Sequence, residues 1–408
     1  MKKLKLAVIG LGQRGFFTMR DCTLYFDNID ITVVCDLYQD RVDRAIELSK
    51  EKTGRTPYGT RDYKEVLKRD DVDAVYVATS WESHIMIAID SLRAGKITAC
   101  EVGGAYSLEE CFELVRTYEE TKTPFMLMEN ACYSRIELLG TAMARAGKFG
   151  TIVHCDGSYS HDLREEISEG NIIRHYRLRN YTNRNCDNYP THDLGPIAKL
   201  LNINRGNRMI SLVSMASKAC GLEEYIEEKK LYEKDPTLKG RKFKQGDVIT
   251  TIIKCENGET ITLTLDTTLP RRYDRTFTVK GTKGMISMTT RNIFLDGMDE
   301  ARPEKLDNLA DYEQEFLHPV WLNITEEDKK RGHGGIDGIM FEEFVKAALN
   351  GTEMPIDVYD AASWMCISCL TAQSIAAGGL VQSIPDFTNG KWLLREPKDV
   401  LDLPKGNG

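Results

Sequence analysis

No run of about 18 apolar residues occurs anywhere in the sequence, so it carries no candidate membrane-spanning helix. No basic excess is present either: 54 lysines and arginines stand against 62 acids, a formal charge of -8. That balance disfavours a nucleic-acid partner, which calls for a basic face, and leaves a small ligand as the expected one. The 11 cysteines form no framework. Their odd number and scatter exclude a disulfide scaffold and fit a reducing compartment. One CxxC, Cys366 and Cys369, lies in an apolar helix-like stretch with no second pair, so packing is its expected role. His161 and Asp162 form a two-ligand cluster that lacks a third member, so no metal site is expected. No internal repeat is visible, which excludes a solenoid. The opening "MKKLKLAVIGLGQRG" has early lysines, but glycines interrupt its apolar run. It reads as a strand entering a turn rather than as a leader peptide, and the expected location is cytoplasmic.

What is present is enough chain for two domains: 408 residues, 41% of them hydrophobic. The expected class is α/β, an N-terminal Rossmann doubly wound parallel sheet followed by an α+β domain. In "KLKLAVIGLGQRGFF" a strand runs into Gly10, Gly12 and Gly15 at GxGxxG spacing, and a helix follows. The first glycine permits the tight turn, the second lets a pyrophosphate approach the backbone, and the third allows close helix–strand packing. The next strand, "ITVVCD", ends at Asp36, where an acid accepts hydrogen bonds from an adenosine ribose and repels the extra phosphate of NADP. NAD is therefore the expected cofactor.

Strands "DAVYVATS", "ITACEV" and "PFMLMEN" then alternate with helical segments, one opened by a Ser107/Glu110 capping box. Such alternation predicts a parallel sheet, covered on both faces, over 1–130. Ligands of these sheets sit beyond the strand C-termini, where this chain carries Trp81, Glu82, Glu101, Glu129 and Asn130. Residues 131–408 form the expected second domain. "VITTIIKCENGETITLTLD" alternates around Asn257-Gly258, a hairpin signal, and neighbouring segments extend it into an open, largely antiparallel sheet. The stretch "DAASWMCISCLTAQSIAAGG" reads as one late helix ending at a glycine pair.

A tyrosine and a histidine stand three apart in "YPTH", residues 189–192. Taken alone, a histidine in such a turn is as a rule a packed or loop residue; beside a dinucleotide crevice it becomes a candidate acid/base. His154 and His175 have no motif around them and read as structural.

A nucleotide domain followed by an open-sheet domain resembles the Gfo/Idh/MocA oxidoreductases. Most of these carry Glu-Lys-Pro after the fifth strand; this chain has Glu101-Val102-Gly103-Gly104 and lacks the lysine. Segments "WESH" (81–84), "MENACY" (128–133), "GSYSHDLR" (157–164), "RLRN" (177–180), "YPTH" and "LGPIAKLLNINRGNRM" (194–209) resemble glycoside hydrolase family 109, the NAD-dependent α-N-acetylgalactosaminidases. Gly103 stands where that family has proline, and Tyr176 where tryptophan is common.

The resemblance implies a glycosidase that oxidises sugar carbon 3 transiently, eliminates the aglycone and adds water, outside the paired-carboxylate route. It implies His192 as acid/base at carbon 3, Tyr159 as the carbon 2 base with Tyr189 assisting, and Glu129 orienting the sugar or steering a proton. Substrate contacts are implied for Tyr159, Arg177, Tyr189, Pro190, Thr191, His192 and Tyr273. Cofactor contacts are implied for Gly10, Gly12, Gln13, Arg14, Gly15, Asp36, Trp81, Glu82, Ser83, His84, Glu101, Val102 and Asn130. A tyrosine base needs a nearby cation or the nicotinamide charge to lower its pKa. The alternatives are an NAD-dependent sugar dehydrogenase, in which His192 would be the base, and a non-catalytic NAD- or sugar-sensing protein. Exposed sheet faces in the superfamily often pair protomers, so a homo-oligomer is expected.

Overall fold

The computed structural model describes residues 2–298, 306–404 and 406. The chain divides into two compact units, Met1–Tyr133 with Asn323–Ala362, and Ser134–Leu322 with Ser363–Gly408.

In the first unit, strands β1 (Leu4–Ile9), β2 (Ile29–Cys35), β3 (Tyr58–Thr60), β4 (Ala74–Val77), β5 (Ile97–Cys100) and β6 (Phe125–Leu127) form one sheet. Its order is β3-β2-β1-β4-β5-β6 and every pairing is parallel. Helices α1 (Gln13–Asp21), α2 (Gln39–Thr53), α3 (Tyr63–Leu67), α4 (Trp81–Arg93) and α5 (Leu108–Thr121) are the crossovers. β4 is buried along its whole length, which explains its unbroken apolar run. The Ser107/Glu110 capping box opens α5 as expected. Strand order reverses between β1 and β4, so the ligand crevice lies at the carboxyl ends of these strands.

The expected division at residue 130 needs one correction. Residues 323–362 pack with the first unit, although the sequence reading gave all of 131–408 to the second. The helix Ile336–Asn350 buries Met340, Phe341, Phe344 and Val345 there. The Phe341 ring meets Tyr76 of β4 edge-on, with ring centroids 5.2 Å apart. The Leu127 N–H donates to Ile356 O at 3.1 Å. Periodicity identifies such a helix as apolar on one side; it does not say which sheet that side covers.

The second unit is built on strands β7 (Ile152–Ser160), β8 (Met209–Ala216), β9 (Val248–Cys255), β10 (Thr260–Asp266), β11 (Thr278–Gly281), β12 (Gly284–Ser287), β13 (Asn292–Leu295) and β14 (Gln382–Ser383). They lie in the order β13-β12-β11-β7-β10-β9-β8-β14, antiparallel except for the β7–β10 pair. The β9–β10 hairpin turns at Asn257-Gly258, where Gly258 has φ +106°. One face of this sheet is buried, through Ile249, Ile253, Ile261, Leu263 and Leu265, while Ile252 and Met215 stay exposed on the other.

Helices α6 (Arg135–Arg145), α7 (Arg164–Ser168), α8 (Arg177–Asn183) and α9 (Thr191–Leu200) belong to the same unit. The late helical stretch is two helices, Val358–Met365 and Ile367–Ala376, parted at Cys366, rather than one. All eleven cysteines are free, and Cys366 and Cys369 are buried in packing.

Gly157 is the point where α9 meets β7. A Cβ there would lie 3.0 Å from both Asp193 O and Ile197 Cδ1. Gly157→Ala is expected to lower stability by about 1–3 kcal/mol through overpacking, read as a shift in the denaturant midpoint at unchanged m.

Candidate active site

At the carboxyl end of β1 the backbone enters the left-handed region at Gly10, φ +96°. A Cβ on Gly10 would meet Ala78 O at 2.5 Å, and one on Gly15 would meet Gly10 O at 1.9 Å, so neither position admits a side chain. Gly12 is the α1 N-cap with no side-chain cap, and no acid occupies the first turn, where Gln13 is exposed. These uncapped amides at a helix N-terminus fit a pyrophosphate. Asp36 is held by two backbone donors, Leu11 N–H at 2.7 Å and Tyr38 N–H at 3.0 Å, with Arg41 Nη1 3.6 Å away. A carboxylate so fixed retains lone pairs for ribose hydroxyls.

At the end of β4, Trp81 opens α4 and lies against Gly103, whose Cβ would come within 2.4 Å of the indole. That contact explains a glycine at 103: a proline ring would collide with Trp81. Glu82 and Ser83 are half-buried, and the Ser83 hydroxyl donates to Thr79 Oγ1 at 2.8 Å. His84 is buried with Nε2 3.0 Å from Thr79 O, and burial lowers its pKa. Val102 is buried beside Glu101, whose Oε2 accepts the Val102 N–H at 3.3 Å.

The Arg14 side chain is committed to two carboxylates. Its Nε donates to Glu101 Oε1 at 2.9 Å and its Nη1 to Asp337 Oδ2 at 2.6 Å. Tyr76 O–H also donates to Glu101 Oε1, at 2.7 Å, and Asn130 Nδ2 to Asp337 Oδ1, at 2.7 Å. His333 Nδ1 lies 2.8 Å from Asp337 Oδ2. Burial opposes ionisation of Asp337, yet Arg14 and His333 hold its carboxyl far below the usual range. Among the residues implied for the cofactor, Arg14, Glu101 and Asn130 are therefore brought together, by an aspartate the sequence reading did not select. Glu129, at the end of β6, is fully buried with Oε1 accepting the Ala131 N–H at 3.0 Å.

In the second unit Tyr159, Tyr189 and His192 form one cluster. The Tyr159 ring lies 4.5 Å from Tyr189 and 5.4 Å from His192, and Tyr189 lies 4.8 Å from His192, all between centroids. Pro190 caps α9, which puts His192 in its first turn and buries Thr191. The Arg177 guanidinium sits over the Tyr189 ring, 5.4 Å from its centroid, and donates to Glu166 Oε1 at 2.8 Å. Tyr273 joins from the segment that pairs with the end of β7, where the Ser160 N–H donates to Asp274 O at 3.1 Å. Its ring lies 6.4 Å from Tyr159 and 5.2 Å from His161.

Burial pushes the Tyr159 phenol up to about 12, and Arg177 works against that rise. Burial weighs against ionised Glu166, but Arg177 keeps its carboxyl below the ordinary value. Nearby, burial raises the Asp187 carboxyl to about 7, and its Oδ1 accepts the Tyr189 N–H at 3.3 Å. His161, Glu166 and Asp187 were missed from sequence. His161 could have been found from its place two residues after Tyr159, since alternate strand residues share a face.

Residues 133–394 match the family described as glycosyl hydrolase 109, C-terminal domain, and residues 4–128 the oxidoreductase family with an NAD-binding Rossmann fold. A glycosyl hydrolase family 109 protein of Stenotrophomonas maltophilia is 36% identical, with 98% of this chain and 92% of that protein covered. An alpha-N-acetylgalactosaminidase of Tannerella forsythia is 34% identical, with 98% and 89% covered. In fold the chain is similar to a levoglucosan dehydrogenase in complex with NADH, at a TM-score of 0.70 and 18% identity, covering 94% of this chain and all of that one.

Asp337→Asn leaves the half-buried Arg14 guanidinium with Glu101 as its one carboxylate, at a cost below the about 3–5 kcal/mol of a fully buried broken pair. The native pKa of Asp337 is depressed, so its contribution is complete above the unfolded value of about 4 and is lost as pH falls through the native one. Thermal melts of wild type and variant should differ most at neutral pH and converge in strong acid.

Proposed function

Because the chain belongs to glycosyl hydrolase family 109, we propose that it releases the aglycone from α-linked N-acetylgalactosamine or a related α-galactoside, with NAD retained through the cycle. The observation that carries this reading is the Tyr159–Tyr189–His192 cluster with Arg177 beside it, since it offers phenol and imidazole groups under one cation. A bound nicotinamide supplies reversible hydride exchange at sugar carbon 3. His192 takes and returns the proton of the carbon 3 hydroxyl. Tyr159 removes the carbon 2 proton, which the carbon 3 ketone acidifies, and Arg177 favours its phenolate. Tyr189, with Pro190 and Thr191 fixing its approach, supports the ring, and Tyr273 and Arg177 contact sugar hydroxyls. Glu129 orients the sugar or steers a proton. Asp36, whose carboxylate is pinned by the Leu11 and Tyr38 N–H groups, favours NAD over NADP by repelling an added phosphate. No helix among the described residues is long and apolar enough to cross a membrane. The proposed partner is a second copy of the chain, met through the sheet face that exposes Ile252 and Met215.

Incubation with a chromogenic α-N-acetylgalactosaminide and no added cofactor tests the reading. Aglycone release without net NADH is expected, and cofactor released by denaturation should be NAD. Stoichiometric NADH from a free sugar, without aglycone release, would point to a dehydrogenase instead. His192→Ala should cost at least about 100-fold in kcat, the scale of a lost acid/base group; a variant with full activity sinks the assignment. Solution mass measurement checks the dimer, and Ile252→Lys should shift it to the monomer.

A further inference from the structure

Tyr159 lies near the end of β7 and His161 follows the strand's last residue, two positions on. The Tyr159 hydroxyl is 3.5 Å from His161 Nδ1, and the two rings meet edge-on with centroids 6.1 Å apart. The His161 backbone is fixed, because its N–H donates to Asp266 O at 2.9 Å and Leu163 N–H donates to Thr267 O at 3.1 Å. The 3.5 Å separation is long for a hydrogen bond, and catalytic hydrogen bonds commonly tighten only once substrate binds.

The groups facing His161 come from every element around it. They are Tyr159 on β7, Asp162 in the following turn, Glu166 on α7, Arg177 on α8, His192 on α9 and Tyr273 on the segment pairing with β7. Asp162 is bound to Arg164 at 2.7 Å and Glu166 to Arg177 at 2.8 Å, so both carboxylates are already neutralised. Burial, and then Arg177, push the His161 pKa below its ordinary value. The imidazole is accordingly neutral at neutral pH, with a ring nitrogen free to accept a proton.

We propose that His161 is the proton acceptor for Tyr159, a positioning and proton-holding residue that acts on the sugar through the phenol. The proposal rests on the glycosidase reading above. The Tyr159 O–H bond breaks as an N–H bond forms on His161 Nδ1, and the phenol oxygen takes the proton from sugar carbon 2. The carbon 2 electron pair becomes the carbon 1–carbon 2 double bond, and the glycosidic oxygen departs with the pair of its broken bond. The Tyr159 phenol then gives that proton to the departing oxygen and regains its own from His161, which restores both side chains and leaves a neutral alcohol. His192, 5.4 Å from Tyr159 between ring centroids, keeps its separate duty at carbon 3.

Two variants test this, with a chromogenic α-N-acetylgalactosaminide carrying hydrogen or deuterium at carbon 2 or at carbon 3. His161→Phe keeps a ring against Tyr159 and Tyr273; His161→Ala opens space for a free base. Both should lose about 100-fold in kcat with KM nearly unchanged. The carbon 2 isotope effect should grow while the carbon 3 effect does not. Added imidazole should restore part of the His161→Ala rate, more at a pH above the imidazole pKa than below it. Retention of wild-type kcat by His161→Phe overturns the proposal. So does a lower rate with neither a larger carbon 2 effect nor imidazole rescue, because that marks a structural role. A wild-type enzyme that releases no aglycone removes the glycosidase reading itself, an outcome separate from either variant result.

Discussion

Helix α9 rests so close to strand β7 that a Cβ at Gly157 would lie 3.0 Å from both Asp193 O and Ile197 Cδ1. On this contact the placing of the second unit's ring cluster depends. β7 carries Tyr159 and α9 carries His192, so the distance between a phenol and an imidazole is set by how near a helix backbone comes to a strand. Pro190 fixes the approach to the helix and leaves Tyr189 just outside it, and three ring groups converge. Protein interiors transmit small shifts rather than absorbing them, so a site assembled from a strand and a helix inherits the stiffness of both.

Each unit also holds an arginine paired with carboxylate in place. In the first, Arg14 is shared by Glu101 and Asp337. In the second, Arg177 is paired with Glu166 and lies over an aromatic ring. The two arrangements serve different ends. Arg14 ties the glycine turn to a helix more than 300 residues along the chain, so its effect is architectural. Arg177 lies among titratable groups, so its effect is on their ionisation: it opposes the rise that burial imposes on Tyr159 and adds to the fall that burial imposes on His161.

The nucleotide half was readable from sequence because its signals are local. Three glycines at fixed spacing, an acid at the end of the next strand and a regular exchange of strands and helices all lie within a few tens of residues. The antiparallel sheet was readable for the same reason, through alternation and the Asn257-Gly258 turn. The single parallel pairing of β7 with β10 was not, since about a hundred residues separate the strands and neither marks its partner's direction. Tyr159 stood out only through family resemblance; on its own it looks like any strand tyrosine. His161 was weighed as half of a metal pair and set aside, although its spacing from Tyr159 already put both on one face. Asp337 carries no local signal, because its meaning lies in a contact with Arg14 that no periodicity encodes.

The excursion of residues 323–362 back to the first unit has a consequence for any attempt to take the protein apart. A gene fragment stopping after Tyr133 would encode all six strands of the parallel sheet, yet it would leave Arg14 without one of its two acids and expose Tyr76 where Phe341 covers it. The nucleotide-binding half is thus a unit of packing but not of sequence, and it can be inherited, expressed or transplanted only together with the chain that loops out of it and returns.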